Sequence, residues 1–307
     1  MSHEERTIKF SLFRLILERE AKQQSLGDIT ISRADLLKKL IEFSPQHTSS
    51  NGSTYLTSKI TTIDNGLYFK FGIKRSQKSI DFDDYEKDFF EKERNNIEYV
   101  KCLYDPNRQL LAIENKKRLP SPITIAHHLA TTIDNIKSNE IYSKNLDATE
   151  KMLLSTSICK ARHVYEPTDF IEKIKNSYKV SSFKITMLIA NPIDFNDAIK
   201  KPLDKLMEDT GAAGSNLTLQ NKVDGLHTDR LTSLSRDLAS YGAGAEAYVI
   251  EKEGSSPHKF QLNTKNNLAS VIFSLPHTLM EVNFIDVAGK ALKLVREKFR
   301  NIHEGPH

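Results

Sequence analysis

Hydrophobic residues occupy every second position from Leu67 to Ile73, with Leu67, Phe69, Phe71 and Ile73 facing one way and Tyr68, Lys70 and Lys74 the other. Side chains of a strand alternate between its two faces, so this pattern predicts a strand with one buried and one wet face. The preceding segment TYLTSKITTI joins it through Asp64-Asn65-Gly66, residues that a tight turn with positive φ demands. IEYVKCLY and QLLAIENKK form a second predicted hairpin, turning at Asp105-Pro106-Asn107-Arg108. TIKFSLFRLIL predicts a further strand, with Ile8, Phe10 and Leu12 on one side.

Elsewhere the period lengthens to that of a helix. Leu36, Leu37, Leu40 and Ile41 recur behind Ser32, a suitable N-cap, and LPSPIT opens a helix near residue 123. Residues 81–93, DFDDYEKDFFEKE, set seven acids among Phe82, Tyr85, Phe89 and Phe90 at spacings that predict an acidic amphipathic helix. MLLSTSICKA is expected to be helical and FKITMLIA a strand stopped at Asn191-Pro192, with a helix from Asp194 disturbed at Pro202. TDRLTSLSRDLASYG predicts a helix with Leu231, Leu234 and Leu238 inward and Gly242 at its end, followed by strands in AEAYVIE, HKFQLNT and LASVIFSL. The closing segment FIDVAGKALKLVREKFRNI reads as a helix that packs Val287, Ala291, Leu294 and Val295 and turns Lys290, Lys293 and Arg300 to another side.

Hairpins mixed with helices give an α+β class, with antiparallel hairpin-rich sheets and packed helices. The polar stretch KSNEIYSKNLDATEK sets the expected boundary between an N-terminal α+β domain, residues 1–140, and a C-terminal α+β domain, residues 150–307, ending in the basic helix.

Composition narrows the class. A hydrophobic fraction of 38% and a charged fraction of 27% are those of a chain that folds. Its longest apolar runs, ITMLIA and LASVIFSL, fall well short of the roughly 20 residues of a membrane helix. MSHEERTIKF has neither the basic start nor the apolar core of a secretory leader, which makes the cytoplasm the expected address. Cys102 and Cys159 sit inside apolar patterns and are expected as buried free thiols in a reducing compartment. A net charge of +4 permits a polyanion partner, so the distribution of charge decides more than its sum.

That distribution supplies the leading candidate site. Tyr68, Lys70, Lys74 and Arg75 lie on or beside the polar face of the first hairpin, and Tyr99, Lys101, Arg108, Lys116, Lys117 and Arg118 do so on the second. Lysine and arginine neutralise phosphates and release counterions, while tyrosine offers a stacking surface indifferent to base identity. A second basic group is Lys173, Lys175, Lys179 and Lys184, and a third is Lys290, Lys293 and Arg300. The expectation is non-specific binding to the backbone of DNA or RNA; the plain alternative is that these are solvated faces of half-buried sheets.

Two further readings stay open. Asp105, Glu114 and Lys116 match the letters of a metal-dependent nuclease, but Asp105 lies in the turn and Glu114 near the far end of the strand, so Glu98 is the better partner. Pairing about the Pro106-Asn107 turn nevertheless puts Glu98 on the opposite face from Glu114. The acidic segment 81–93 instead suits a protein-interaction module, or covers a basic surface. TGAAGSN and YGAGAEAY lack the ending of a phosphate loop, and the adjacent His127 and His128 point about 100° apart on a helix, so neither a cofactor nor a metal is expected.

The alternating hairpin GSTYLTSKITTIDNGLYFKFGIKR, the second hairpin IEYVKCLYDPNRQLLAIENKK and the closing basic helix follow in an order that resembles the RexA phage-exclusion proteins of lambda-like prophages. The resemblance spans most of the chain and rests on element order. It implies a cytoplasmic homodimer that binds DNA with little sequence preference and acts in antiviral defence, with a defence-system or membrane-protein partner and no catalysis. No site residue is carried over by it, because no shared motif fixes an alignment.

Overall fold

The computed structural model describes residues 6–19, 32–49, 52–83, 85, 88–138, 144–188, 214–275 and 284–305. In chain order its elements are β1 (Arg6–Arg19), α1 (Arg33–Glu42), β2 (Gln46–Thr48), β3 (Thr54–Thr57), β4 (Thr61–Ile63), β5 (Gly66–Asp83), β6 (Asp88–Asp105), β7 (Leu110–Glu114), α2 (Pro122–Asp134), α3 (Ala148–Ser155), β8 (Ser157–His163), α4 (Thr168–Lys175), β9 (Lys179–Leu188), β10 (Gly214–Gln220), α5 (Thr228–Tyr241), β11 (Gly244–Ile250), β12 (His258–Gln261), β13 (Ser270–Leu275) and α6 (Phe284–Glu304). The fold is α+β, built on two antiparallel sheets.

Strand β1 is the spine of the larger sheet. One of its edges pairs with β7, and the other is shared by β13 along residues 6–11 and β8 along residues 13–19. At the handover the Leu12 N–H donates to the Ala269 carbonyl and the Leu12 carbonyl accepts from the Val164 N–H, both at 3.1 Å, so the ladder leaves no orphan there. The full order is β13-β1-β7-β6-β5-β3-β2, with β4 on β5 and β8 on β1; the smaller sheet runs β10-β9-β11-β12. Strands from both sides of the expected 140–150 boundary therefore share one sheet.

Both faces of the larger sheet are buried. One carries α1, α2 and α3 over Phe13, Leu15, Phe69, Phe71, Leu111 and Ile113. The other joins Phe10, Leu12, Leu103 and Ala112 to α5, α6 and the inner face of the smaller sheet in one continuous core. Helix α6 is fixed over the hairpin turns by Arg296, whose Nε donates to Asp105 Oδ2 at 2.9 Å and whose Nη1 donates to the Asp64 carbonyl at 2.7 Å. Gly66 makes room for this: a Cβ there would lie 2.4 Å from a Leu292 methyl.

Several expectations are corrected. Residues 81–83 and 88–93 are not helical; they extend the β5–β6 hairpin, whose pairing continues in register to Asp83 and Asp88. The physical reason is that each added pair propagates a ladder already closed, whereas a helix must nucleate. MLLSTSICKA divides into the end of α3 and strand β8, which is drawn onto the edge of β1. Gly214–Asn216 of TGAAGSN open β10 instead of looping, and the helix expected from Asp194 lies outside the described residues. On α6 the inward residues include Leu292, Phe299 and Ile302, while Leu294 is partly exposed. The first hairpin turn is as read, with Asp64 and Asn65 at φ +42° and +59°, whereas the second pairs Asp105 with Leu110 around a longer turn.

Candidate nucleic-acid interface

Among the described residues, α6 covers the sheet face that holds the shared core only as far as Phe284, and the side chains beyond are half-buried. Across β5, β6 and the residues just after β7 that face carries Lys70, Lys74, Tyr99 and Lys116, with Gly72 directly opposite Tyr99. Lys70 Nζ lies 4.4 Å from the centroid of the Tyr99 ring and Lys116 Nζ lies 4.9 Å from it. Lys116 also donates to the Tyr99 carbonyl at 3.3 Å, and Lys70 donates to the Tyr99 hydroxyl at 3.4 Å. Among the described residues no carboxylate pairs with Lys70, Lys74 or Lys116.

A ring quadrupole attracts a cation without neutralising it. Tyr99 therefore gathers two ammonium groups that like-charge repulsion would separate, and leaves their full charge available to an anion. This revises the expected role of the aromatic residue, since the ring holds lysines in place of presenting an open face for a base. Lys117 and Arg118, both exposed, continue the positive surface through the turn after β7.

The remaining predicted residues separate. Lys101 is 1% exposed and lies on the same face but beneath cover, its ammonium 3.3 Å from Glu114 Oε1 and 5.4 Å from the Phe284 ring centroid. Its own N–H donates to Glu114 Oε2 at 3.0 Å, so the carboxylate completes the β6 ladder where β7 ends. Tyr68 is buried against Phe284, with ring centroids 5.4 Å apart, and offers nothing to stack on. Arg108 pairs with the fully buried Asp105 at 3.1 Å. Arg75 follows Ile73 onto the opposite sheet face, near Tyr55. On α6, Lys290, Lys293 and Arg300 are exposed, but they share one helical stripe with Asp286, Glu297 and Glu304. In the second group, Lys184 pairs across the sheet with Glu246, which also binds Lys259 at 2.8 Å.

No protein-family model matches this chain, and no curated protein matches it in sequence. The reading of the site thus rests on its own geometry.

Geometry also separates the nuclease set. Glu98 pairs with Ile73 and shares its face, whereas Glu114 faces Lys101 on the other side of the sheet. The observed register is displaced by two residues from that of a two-residue turn, and an even displacement preserves the faces. Asp105 serves Arg296 and Arg108. Among the described residues no three of His, Cys, Asp or Glu are grouped to hold a metal ion.

Sequence reading also missed a polar contact between His128 and Tyr55. His128 points away from the exposed His127 and stacks on Tyr55, ring centroids 4.0 Å apart, with the Tyr55 hydroxyl 2.9 Å from His128 Nε2. Burial, aided by His127 and His47, holds the His128 imidazole below its ordinary pKa, and burial raises the Tyr55 phenol. The partners are 73 residues apart, so no local spacing announces them. Cys102 and Cys159 are buried free thiols, both pushed up in pKa first by burial.

Proposed function

We propose that the protein binds the phosphate backbone of nucleic acid, with little sequence preference, through Lys70, Lys74 and Lys116 and the adjoining Lys117 and Arg118. The observation that carries this reading is the pair of ammonium groups held over one tyrosine ring with no carboxylate of the described residues paired to either. A cluster of that kind attracts phosphate through charge and hydrogen bonding and distinguishes no base. No helix of the described residues is long and apolar enough to cross a membrane. With the resemblance to phage-exclusion proteins, the reading extends to a cytoplasmic homodimer acting in antiviral defence alongside a partner protein.

The test is fluorescence anisotropy of labelled duplexes of unrelated sequence across a salt series. One phosphate contact for each of the five named cations predicts a plot of log affinity against log salt with a slope of about −4.5, at about −0.9 per neutralised phosphate. Lys70→Glu with Lys116→Glu should weaken all duplexes alike and flatten that slope. Tyr99→Phe should retain most of the affinity and Tyr99→Ala should lose it. Affinity untouched by the lysine substitutions rejects this face.

A further inference from the structure

A concave site lies far along the chain from the lysine face, between α4, β12 and the turn at 264–267. The cleft is open to solvent and has a volume of about 490 Å³, within the usual range for a small-molecule site. Its principal groups are Phe260, Lys173, Asp169, Thr264, Asn266 and Asn267. We propose that this cleft binds a nucleoside monophosphate unit, either as a free mononucleotide or as the end of a single strand.

Phe260 is half-buried, and the group over its ring is the Lys173 ammonium, 5.5 Å from the centroid on an exposed, flexible side chain. A base can take that position over the ring while the ammonium swings onto its phosphate. No carboxylate of the described residues pairs with Lys173. Lys259 at the rim is already held by Glu246 at 2.8 Å, and Asp169 adds a negative charge one helical turn before Lys173. Among the lining residues, one cation without a carboxylate partner, Lys173, beside one carboxylate suits a single phosphate and disfavours a triphosphate. An acyl chain would leave the amide and hydroxyl groups of the wall unpaired.

The wall opposite the helix is fixed before any ligand arrives. Asn267 is 9% exposed, and its Nδ2 donates to the carbonyls of Leu262 at 2.9 Å and Gln261 at 3.5 Å. That leaves Oδ1 as an acceptor suited to the exocyclic amine of adenine or cytosine. The turn itself is tied down by the Asn267 N–H to the Thr264 carbonyl at 3.1 Å and by the Glu166 N–H to the Asn267 carbonyl at 2.6 Å. A preformed wall reduces the ordering cost of binding.

Isothermal titration of the full chain with AMP, CMP, adenosine, ribose 5-phosphate and a 5′-phosphorylated trinucleotide tests the assignment. AMP or CMP should saturate, with adenosine and ribose 5-phosphate each weaker. Phe260→Ala and Lys173→Ala should each lower affinity about tenfold, the share expected of a stacked base or a phosphate contact. Tighter binding of the trinucleotide identifies a strand end as the occupant; equal or weaker binding identifies a free nucleotide. The proposal falls if none of the phosphorylated probes saturates by about 10 mM, or if neither substitution moves the binding. Lys70→Glu with Lys116→Glu should leave AMP binding unchanged, so failure at the cleft and failure of the duplex-binding face are read separately.

Discussion

Lys101 and Lys116 look alike in sequence, yet the fold gives them opposite tasks. Lys116 holds its charge over the Tyr99 ring with no carboxylate of the described residues paired to it, while Lys101 is sealed against Glu114 and Phe284. A buried charge that loses its partner is strongly destabilising, whereas replacing both partners with apolar groups is often tolerated. Lys101→Met alone should therefore cost about 3 to 5 kcal/mol by leaving Glu114 buried without its ammonium, measured by urea denaturation. Adding Glu114→Leu should recover part of that loss and not all of it, because Glu114 also accepts the Lys101 N–H. Both changes should leave duplex affinity unaltered in the folded fraction, since neither group reaches the open face.

At the scale of elements, two junctions carry testable weight. Helix α6 is held to both hairpin turns by Arg296, with Asp105 fully buried beneath it. Asp105→Asn should lower stability by about 3 kcal/mol by stripping Arg296 of its buried counter-charge, and denaturant unfolding checks this. The junction of α2 with β3 rests in part on the His128–Tyr55 contact. Because the folded pKa of His128 is depressed, the unfolded chain binds the proton first as pH falls. The contribution is complete above the unfolded value of about 6.5 and is lost as pH falls through it towards the folded value. His163, depressed by burial and by His127, adds in the same direction. Thermal scans should show Tm falling between about pH 7.5 and 5.5, across that unfolded value, and His128→Gln should remove part of the fall while keeping an acceptor for the tyrosine hydroxyl.

For the whole molecule the decisive element is β1, which lends its edges to β7, β8 and β13. A fragment spanning residues 150–307 would keep β8 and β13 but lose the strand both of them pair with, along with the Phe10 and Leu12 side of the shared core. Expressed alone it should fail to fold cooperatively, shown by the absence of a sharp transition in circular dichroism. The intact chain should unfold in a transition common to probes in both halves, because one apolar cluster spans them.

Local physics determined much of this protein directly from its residues: the alternation through Leu67–Ile73, the positive-φ turn at Asp64-Asn65, the Ser32 cap and the Gly242 helix end all appear where pattern places them. Each of these depends on neighbours within a few positions, and so is written in consecutive residues. Which cations remain available was decided only by tertiary structure, because burial and ion pairing join residues far apart: Arg296 to Asp105, α6 over Lys101 and Tyr68, Glu246 beside Lys184 and Lys259. Residues 81–83 and 88–93 of the acidic stretch show the same limit, since their helical spacing yielded to a ladder begun at Leu67 and Tyr104. Charge in a sequence is counted residue by residue, but a charged surface exists only after the chain has chosen which of those residues to cover.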